Sequence, residues 1–196
     1  YLAVAGRPQS RDKLAALLWD DSAESQARSS LRQALAAVRK VGHGALAAAD
    51  ENLALDAGVV TDVGRFEALL AEDTPAALED AVALYRGDLL DGFHIDGHAF
   101  EDWLGIERQR LRQQAGTAMT RLLDHHAEAG NQESAVRLAT RLISLDPLRE
   151  DVHRRLMQLY VRQGRPAAAL KQYRTCRELL RRELAVAPEP ETEALY

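Results

Sequence analysis

The sequence predicts a mainly α-helical protein: a small N-terminal unit of two helices and a β-hairpin, then a longer all-α stretch built from repeated helix pairs. Three observations carry that expectation. Alanine, leucine, arginine and glutamate dominate, aromatics are 5% and prolines number six, a composition that favours helix. Apolar residues recur at helical spacing in most windows. The segment "AEAGNQESAVRLATRLISLDP" also overlays "VRQGRPAAALKQYRTCRELLR", so that Gly130 meets Gly164 and Ala135 meets Ala169, an offset of 34 residues.

Taken in order, "SRDKLAALLW" puts Leu14, Leu17 and Leu18 on one helical face behind Ser10, a good N-cap. "DDSAES" interrupts it. A second helix is expected from about Glu24 to Val41, with Ala27, Leu31, Ala34, Leu35, Val38 and Val41 as its apolar stripe. Arg39 and Lys40 near its end suit the helix dipole, and "GHG" stops it. "ALAAADENLALD" reads as two short strands around Asp50, Glu51 and Asn52. Helix, turn, longer helix and hairpin are the parts of a winged helix-turn-helix, placed at residues 1–60.

From residue 61 the texture is all helical. "TDVGRFEALLAE" and "TPAALEDAVALY" are amphipathic, the second with Thr74 as N-cap and Pro75 in its first turn. A glycine-broken connection, "RGDLLDGFHIDGH", leads to a long helix from about Phe100 to Ala129. The repeat offset is that of tetratricopeptide (TPR) helix pairs: glycine ends one helix, and a small alanine five residues later lets the next pack closely. Two units cannot bury their faces alone, so the helices of 62–115 are expected to supply a degenerate unit and a cap. "PEPETEALY" is expected to lay a terminal helix on this solenoid. The chain opens at Tyr1 in mid-pattern and is read as an N-terminally truncated winged module followed by a helical-repeat domain at 61–196.

Charge is uneven. Residues 1–60 carry seven bases and seven acids, 61–110 four and twelve, and 111–196 fourteen and eleven, within a net charge of −5. No apolar run reaches the length of a membrane span, so no membrane partner is expected and the location is read as cytoplasmic. Cys176 stands alone and reads as a small core residue.

Few groups invite catalysis. His94 and His98 are four apart near Asp96, Glu101 and Asp102, but in a stretch too glycine-rich to hold both rings on one helix face. His125 and His126 diverge by about 100° on a helix and do not chelate as a pair. His43 and His153 are isolated, to be surface or satisfied core residues. Tyr85, Phe93, Phe100, Trp103 and Tyr160 resemble a ligand cage but have the spacing of core residues. Phosphate loop, nucleophile elbow and GxGxxG are all missing, so no enzyme, metal or cofactor is expected.

The strongest functional signal is "SSLRQALAAVRK". No acid falls between Ser25 and Ala49, whereas Arg28, Arg32, Arg39 and Lys40 do. With Leu31, Leu35 and Val38 inward, Ser29, Arg32, Gln33, Ala36 and Lys40 turn outward, flanked by Arg28 and Arg39. Arg pairs with guanine and Gln with adenine, while Ala and Ser allow close approach to a major groove. A solvated basic face satisfies the same composition; the neighbouring helix and hairpin favour the DNA reading.

"GRPQSRDKLAALLWDD…ARSSLRQALAAVRK", "VVTDVGRFEALL", "ALYRGDLLDGF", "FEDWLGIERQRLR" and "LDPLREDVHRRLMQLYVRQGRPAAALKQYRTCRELLRREL" resemble the SARP-type regulators (Streptomyces antibiotic regulatory proteins) along essentially the whole chain. That resemblance implies an OmpR-like winged helix followed by a TPR-like bacterial transcriptional activator domain. It implies residues 10–18 as supporting helix and 24–41 as recognition helix. Arg28, Ser29, Arg32, Gln33, Arg39 and Lys40 become DNA contacts, with "AADENL" as wing tip and Asn52 near the minor groove. Against the family pattern, the N-terminal sheet and first helix of the winged domain are expected to be absent from this stretch apart from "YLAV", and the wing carries Asp50 and Glu51 where arginine is often found. The implied partners are double-stranded DNA with direct-repeat sites, RNA polymerase, a second copy as homodimer, and sensor or nucleotide-binding modules of a longer chain. The alternative is a TPR-like scaffold that binds a peptide or a signalling domain without touching DNA.

Overall fold

Ser10 organises the N-terminal unit. It ends a short strand, β1 (Gln9–Ser10), and its side chain accepts a 3.2 Å hydrogen bond from the Lys13 amide, capping helix α2 (Arg11–Leu18). The structure, a computed structural model, describes residues 1–42, 44–49, 51–95 and 97–195; His43, Asp50 and Asp96, singled out above, lie outside them. Before β1, Leu2–Ala5 form one helical turn, α1. After α2 comes α3 (Glu24–Val41), then β2 (Leu46–Ala49) and β3 (Asn52–Leu55). The three strands form an antiparallel sheet in the order β1-β3-β2, with Leu46 opposite Leu55, Ala49 opposite Asn52, and Ser10 opposite Asn52 on the other side.

One core joins these parts: Leu14 and Ala15 of α2, Ala27, Leu31 and Leu35 of α3, and Leu53 of β3, with Tyr1, Leu2, Trp19 and Leu46 packed around it. The expected stripe of α3 is only partly right, because Val38 is 42% and Val41 75% exposed. The reason is length. At roughly 1.5 Å per residue α2 runs about 12 Å and α3 about 27 Å, so the last turns of α3 outrun the helix beside them.

The remaining helices are α4 (Asp62–Glu72), α5 (Pro75–Leu84), α6 (His98–Glu128), α7 (Gln132–Leu145), α8 (Glu150–Arg162), α9 (Pro166–Leu184) and the short α10 (Pro190–Glu193). The Ala77 amide donates to Thr74 Oγ1 at 3.2 Å, as the N-cap reading of Thr74 requires. The chain forms two compact units, residues 1–72 with 83–111, and residues 73–82 with 112–196, so α6 begins in the first and ends in the second.

In the second unit Gly130 and Gly164 both adopt left-handed backbone, at φ 76° and 68°, which a side chain would resist. Each closes a helix before α7 or α9. Ala135 and Ala169 are buried, as close helix packing requires. α8 packs on both α7 and α9. Cys176 is 1% exposed and burial pushes its thiol up to about 11, which suits a core residue. His153 is also fully buried, with both ring nitrogens engaged.

Of the five aromatics singled out above, three pack on one another, and Tyr85 stands beside Phe66 at 6.2 Å between ring centres. Phe100 is buried between Phe93 and Trp103, and Tyr1 stands edge-on to Trp103 at 4.9 Å in the first unit. Phe93, expected in the core, is 47% exposed because it sits on the irregular connection before α6. Tyr160 belongs to the second unit, against Arg165. No described helix is long and apolar enough to cross a membrane, and no described cluster of His, Cys, Asp or Glu has the makings of a metal site.

Candidate nucleic-acid interface

Helix α3 turns Ala27, Leu31 and Leu35 inward, and the helical repeat therefore sends Arg32, Gln33, Ala36 and Lys40 to the opposite side, where all four are exposed. Arg39 is exposed beside them. Ser29 is half-buried rather than fully outward, and Asn52 is not a loop residue: it opens strand β3, exposed, between Ser10 and Ala49.

Arg28 differs from the other bases. Its Nε donates to Asp12 Oδ1 at 2.9 Å and its Nη2 pairs with Glu24 Oε1 at 2.8 Å. The Asp12 carboxylate, first by hydrogen bond and then by charge, with Glu24 behind it, holds this guanidinium more firmly protonated than usual. Arg28 thus ties α2 to α3. Among the described residues no carboxylate pairs with Arg32, Arg39 or Lys40, so these charges stay available to an external anion.

Where α2, α3 and the wing meet, an open depression of about 610 Å³ is lined by Arg11, Asp12, Ser25, Arg28, Arg32 and Glu51 together with Leu31. The Arg11 amide donates to the Glu51 carbonyl at 2.9 Å, which fixes the start of α2 against the wing turn. Sequence reading passed over Arg11 and Ser25. Their signal was positional: Arg11 directly follows the N-cap of α2, and Ser25 lies one turn before Arg28 and Ser29. Glu51 on this rim would repel a phosphate, whereas the Arg32 side would attract one.

The scaffold behind the face is anchored elsewhere in the first unit. Asp20, just past α2, accepts a 2.8 Å hydrogen bond from the Ala99 amide in the first turn of α6, and that bond holds its carboxyl below the usual range. On α6, Arg110 pairs with Glu67 at 2.5 Å and Glu107 at 2.6 Å, tying it to α4.

An 18-residue helix with small residues among Arg, Gln and Lys on its outer side, braced by a second helix and a hairpin, has the dimensions to enter a DNA major groove about 12 Å wide. The comparisons bear on the fold and the family. Residues 61–196 match the family described as the bacterial transcriptional activator domain. The chain is 30% identical over 99% of its length to the regulatory protein AfsR of Streptomyces griseus, and 28% identical over 97% to AfsR of Streptomyces coelicolor, of which it spans 22% and 20%. Among solved structures, Mycobacterium tuberculosis EmbR, determined in complex with a low affinity phosphopeptide, is similar over 96% of this chain and 54% of its own, with a TM-score of 0.68 at 25% identity. These similarities are to regulators and not to an enzyme class. The chain belongs to the SARP-type regulators that carry a bacterial transcriptional activator domain.

Proposed function

We propose that residues 1–60 bind double-stranded DNA sequence-specifically, with α3 in the major groove, and that residues 61–196 act as the activator domain of a transcription regulator. The observation that carries this reading is the exposed set Arg32, Gln33, Arg39 and Lys40 on the outer face of α3, unpaired among the described residues. Arg32 and Gln33 read base edges, Arg39 and Lys40 meet phosphates, and Ser29 and Asn52 make peripheral contacts. Arg28 acts mainly by holding α2 and α3 in place, since Asp12 and Glu24 already meet its charge. The activator domain serves dimerisation on direct-repeat sites, contact with RNA polymerase, or signal relay from attached modules, and the protein works in the cytoplasm beside the chromosome.

Selection of binding sites from a random duplex pool, followed by anisotropy titrations across salt concentration, tests this. Arg32→Ala and Gln33→Ala are each expected to relax preference at one base step and cost about 1–3 kcal/mol on the selected site. Lys40→Ala is expected to weaken all duplexes alike and to reduce the salt slope by about one, and Arg28→Ala to change that slope less. Unchanged isotherms for Arg32→Ala, Gln33→Ala and Lys40→Ala would remove α3 from the interface. Binding that ignores salt altogether would favour the protein scaffold.

A further inference from the structure

Positive charge concentrates a second time, in the α8–α9 hairpin. From Val152 to Arg177 the sequence contains no Asp or Glu but seven Arg and Lys residues. Two of these are met from elsewhere in the second unit: Arg154 pairs with Glu189 and Arg155 with Asp124, both at 2.5 Å. Arg162, Arg165, Lys171, Arg174 and Arg177 are exposed and have no carboxylate partner among the described residues.

The same hairpin leaves apolar surface open. A groove of about 320 Å³ runs between α8 and α9, floored by Met157, Ala169 and Tyr173 and walled by Val161 and Leu170, which are 60% and 37% exposed. Its rim is basic. Arg162 lines it directly, Arg174 lies one turn after Leu170, and Arg177 sits over the Tyr173 ring at 5.9 Å. In a helical repeat each hairpin buries its faces against neighbours, and α7 covers α8 on one side only.

What suits the open side is indicated by the chain's own last residues. The segment 189–195 is acidic and apolar: Glu189 pairs with Arg154, Glu191 and Glu193 are exposed, and Leu195 reaches the edge of the groove. It covers only that edge, since Leu195 is itself 42% exposed while Val161 and Leu170 remain open. Nucleic acid would gain from the arginines but nothing from an aliphatic floor.

We propose that the α8–α9 groove docks an acidic amphipathic helix of a partner protein. Its leucine-type side chains enter between Val161 and Leu170, and its carboxylates face Arg162, Arg174 and Arg177. This surface is separate in sequence from α3 and differs from it in having an apolar groove, so it stands whether or not α3 binds DNA.

The test uses the whole chain and two fluorescein-labelled helical peptides, each with leucine at i, i+3, i+4 and i+7, one flanked by glutamate and the other by lysine. The glutamate peptide is expected to bind saturably and at least about tenfold more tightly than the lysine peptide, and less tightly as salt rises. Leu170→Glu and Arg174→Glu are each expected to weaken it about tenfold or more, with melting temperature and helical circular dichroism unchanged because both side chains are exposed. No saturable binding, equal binding of the two peptides, or indifference to both substitutions would overturn the proposal. So would full displacement by random duplex DNA, or a dimer in sedimentation that Leu170→Glu dissolves; those results would assign the groove to nucleic acid or to a second copy.

Discussion

Leu53→Ala is expected to cost the winged unit about 2–5 kcal/mol, the range for emptying a leucine site in a close-packed core. Leu53 has no exposed surface and lies in β3, the central strand, whose partners are β1 and β2. It shares one cluster with Leu14 of α2 and with Leu31 and Leu35 of α3, so the loss falls in the core common to the elements that present the outer face of α3. A small core of six buried residues has little redundancy with which to refill the space. Denaturant melts measure the loss, and amide exchange locates it: protection is expected to fall in α2, α3 and the sheet and to persist in α7–α9. On the proposed function, DNA affinity falls with the folded fraction. Val41→Ala, at a position 75% exposed, serves as control and should stay within about 0.5 kcal/mol. A cost for Leu53→Ala no larger than this would contradict the packing described.

His153→Ala is expected to destabilise the second unit by about 2–4 kcal/mol, because it empties a fully buried side-chain site and removes the two hydrogen bonds made there. His153 has no exposed surface, and its Nε2 stands 3.0 Å from the Pro147 carbonyl and its Nδ1 2.6 Å from Gln172 Nε2. A carbonyl only accepts and an amide nitrogen only donates, so the ring is neutral with its proton on Nε2. Burial lowers its pKa below the ordinary 6.5, while the Pro147 carbonyl, Glu150 and Asp151 pull the other way without prevailing. The consequence for pH has a definite sign. Below about 6.5 the unfolded chain takes up a proton that the folded chain refuses, so stability falls as pH drops from there toward the folded value and is flat above. Melting temperatures at pH 7 and pH 5 should therefore diverge more in the natural protein than in His153→Gln. An equal divergence would place the acid sensitivity elsewhere.

Much of this was legible in the residues because local rules and tertiary packing agree. Ser10 and Thr74 cap the helices that their positions announce, and α3 spans Glu24–Val41 as its periodicity and the following glycine require. The repeat was legible for a related reason. Gly130 and Gly164 must adopt left-handed backbone and Ala135 and Ala169 must be small, so the constraint is written in the residue types themselves.

Where the reading missed, the missing quantity was a distance between elements. Periodicity assigns Val38 and Val41 to the inner face of α3, but whether anything covers that face depends on how far α2 extends, and α2 stops after eight residues. Composition counted Arg28 among the free bases of the strip, yet its charge is met by Asp12, 16 positions earlier on another helix, as well as by Glu24 on its own. The acid-free window from Val152 to Arg177 was open to view, but its meaning was not, because the opposing charges of Glu189 and Asp124 return only when the chain folds.

The sequence alone therefore determined which of the longer segments are helical, nearly where they begin and end, and the family to which the chain belongs, but not the single turn α1 or the strand β1. Tertiary structure alone decided which charges remain unpaid by a neighbour and which apolar faces remain open. Local conformation follows from backbone sterics and hydrogen bonds within a few residues, whereas the availability of Arg32, Lys40 and the α8–α9 groove depends on what the rest of the chain brings within contact distance.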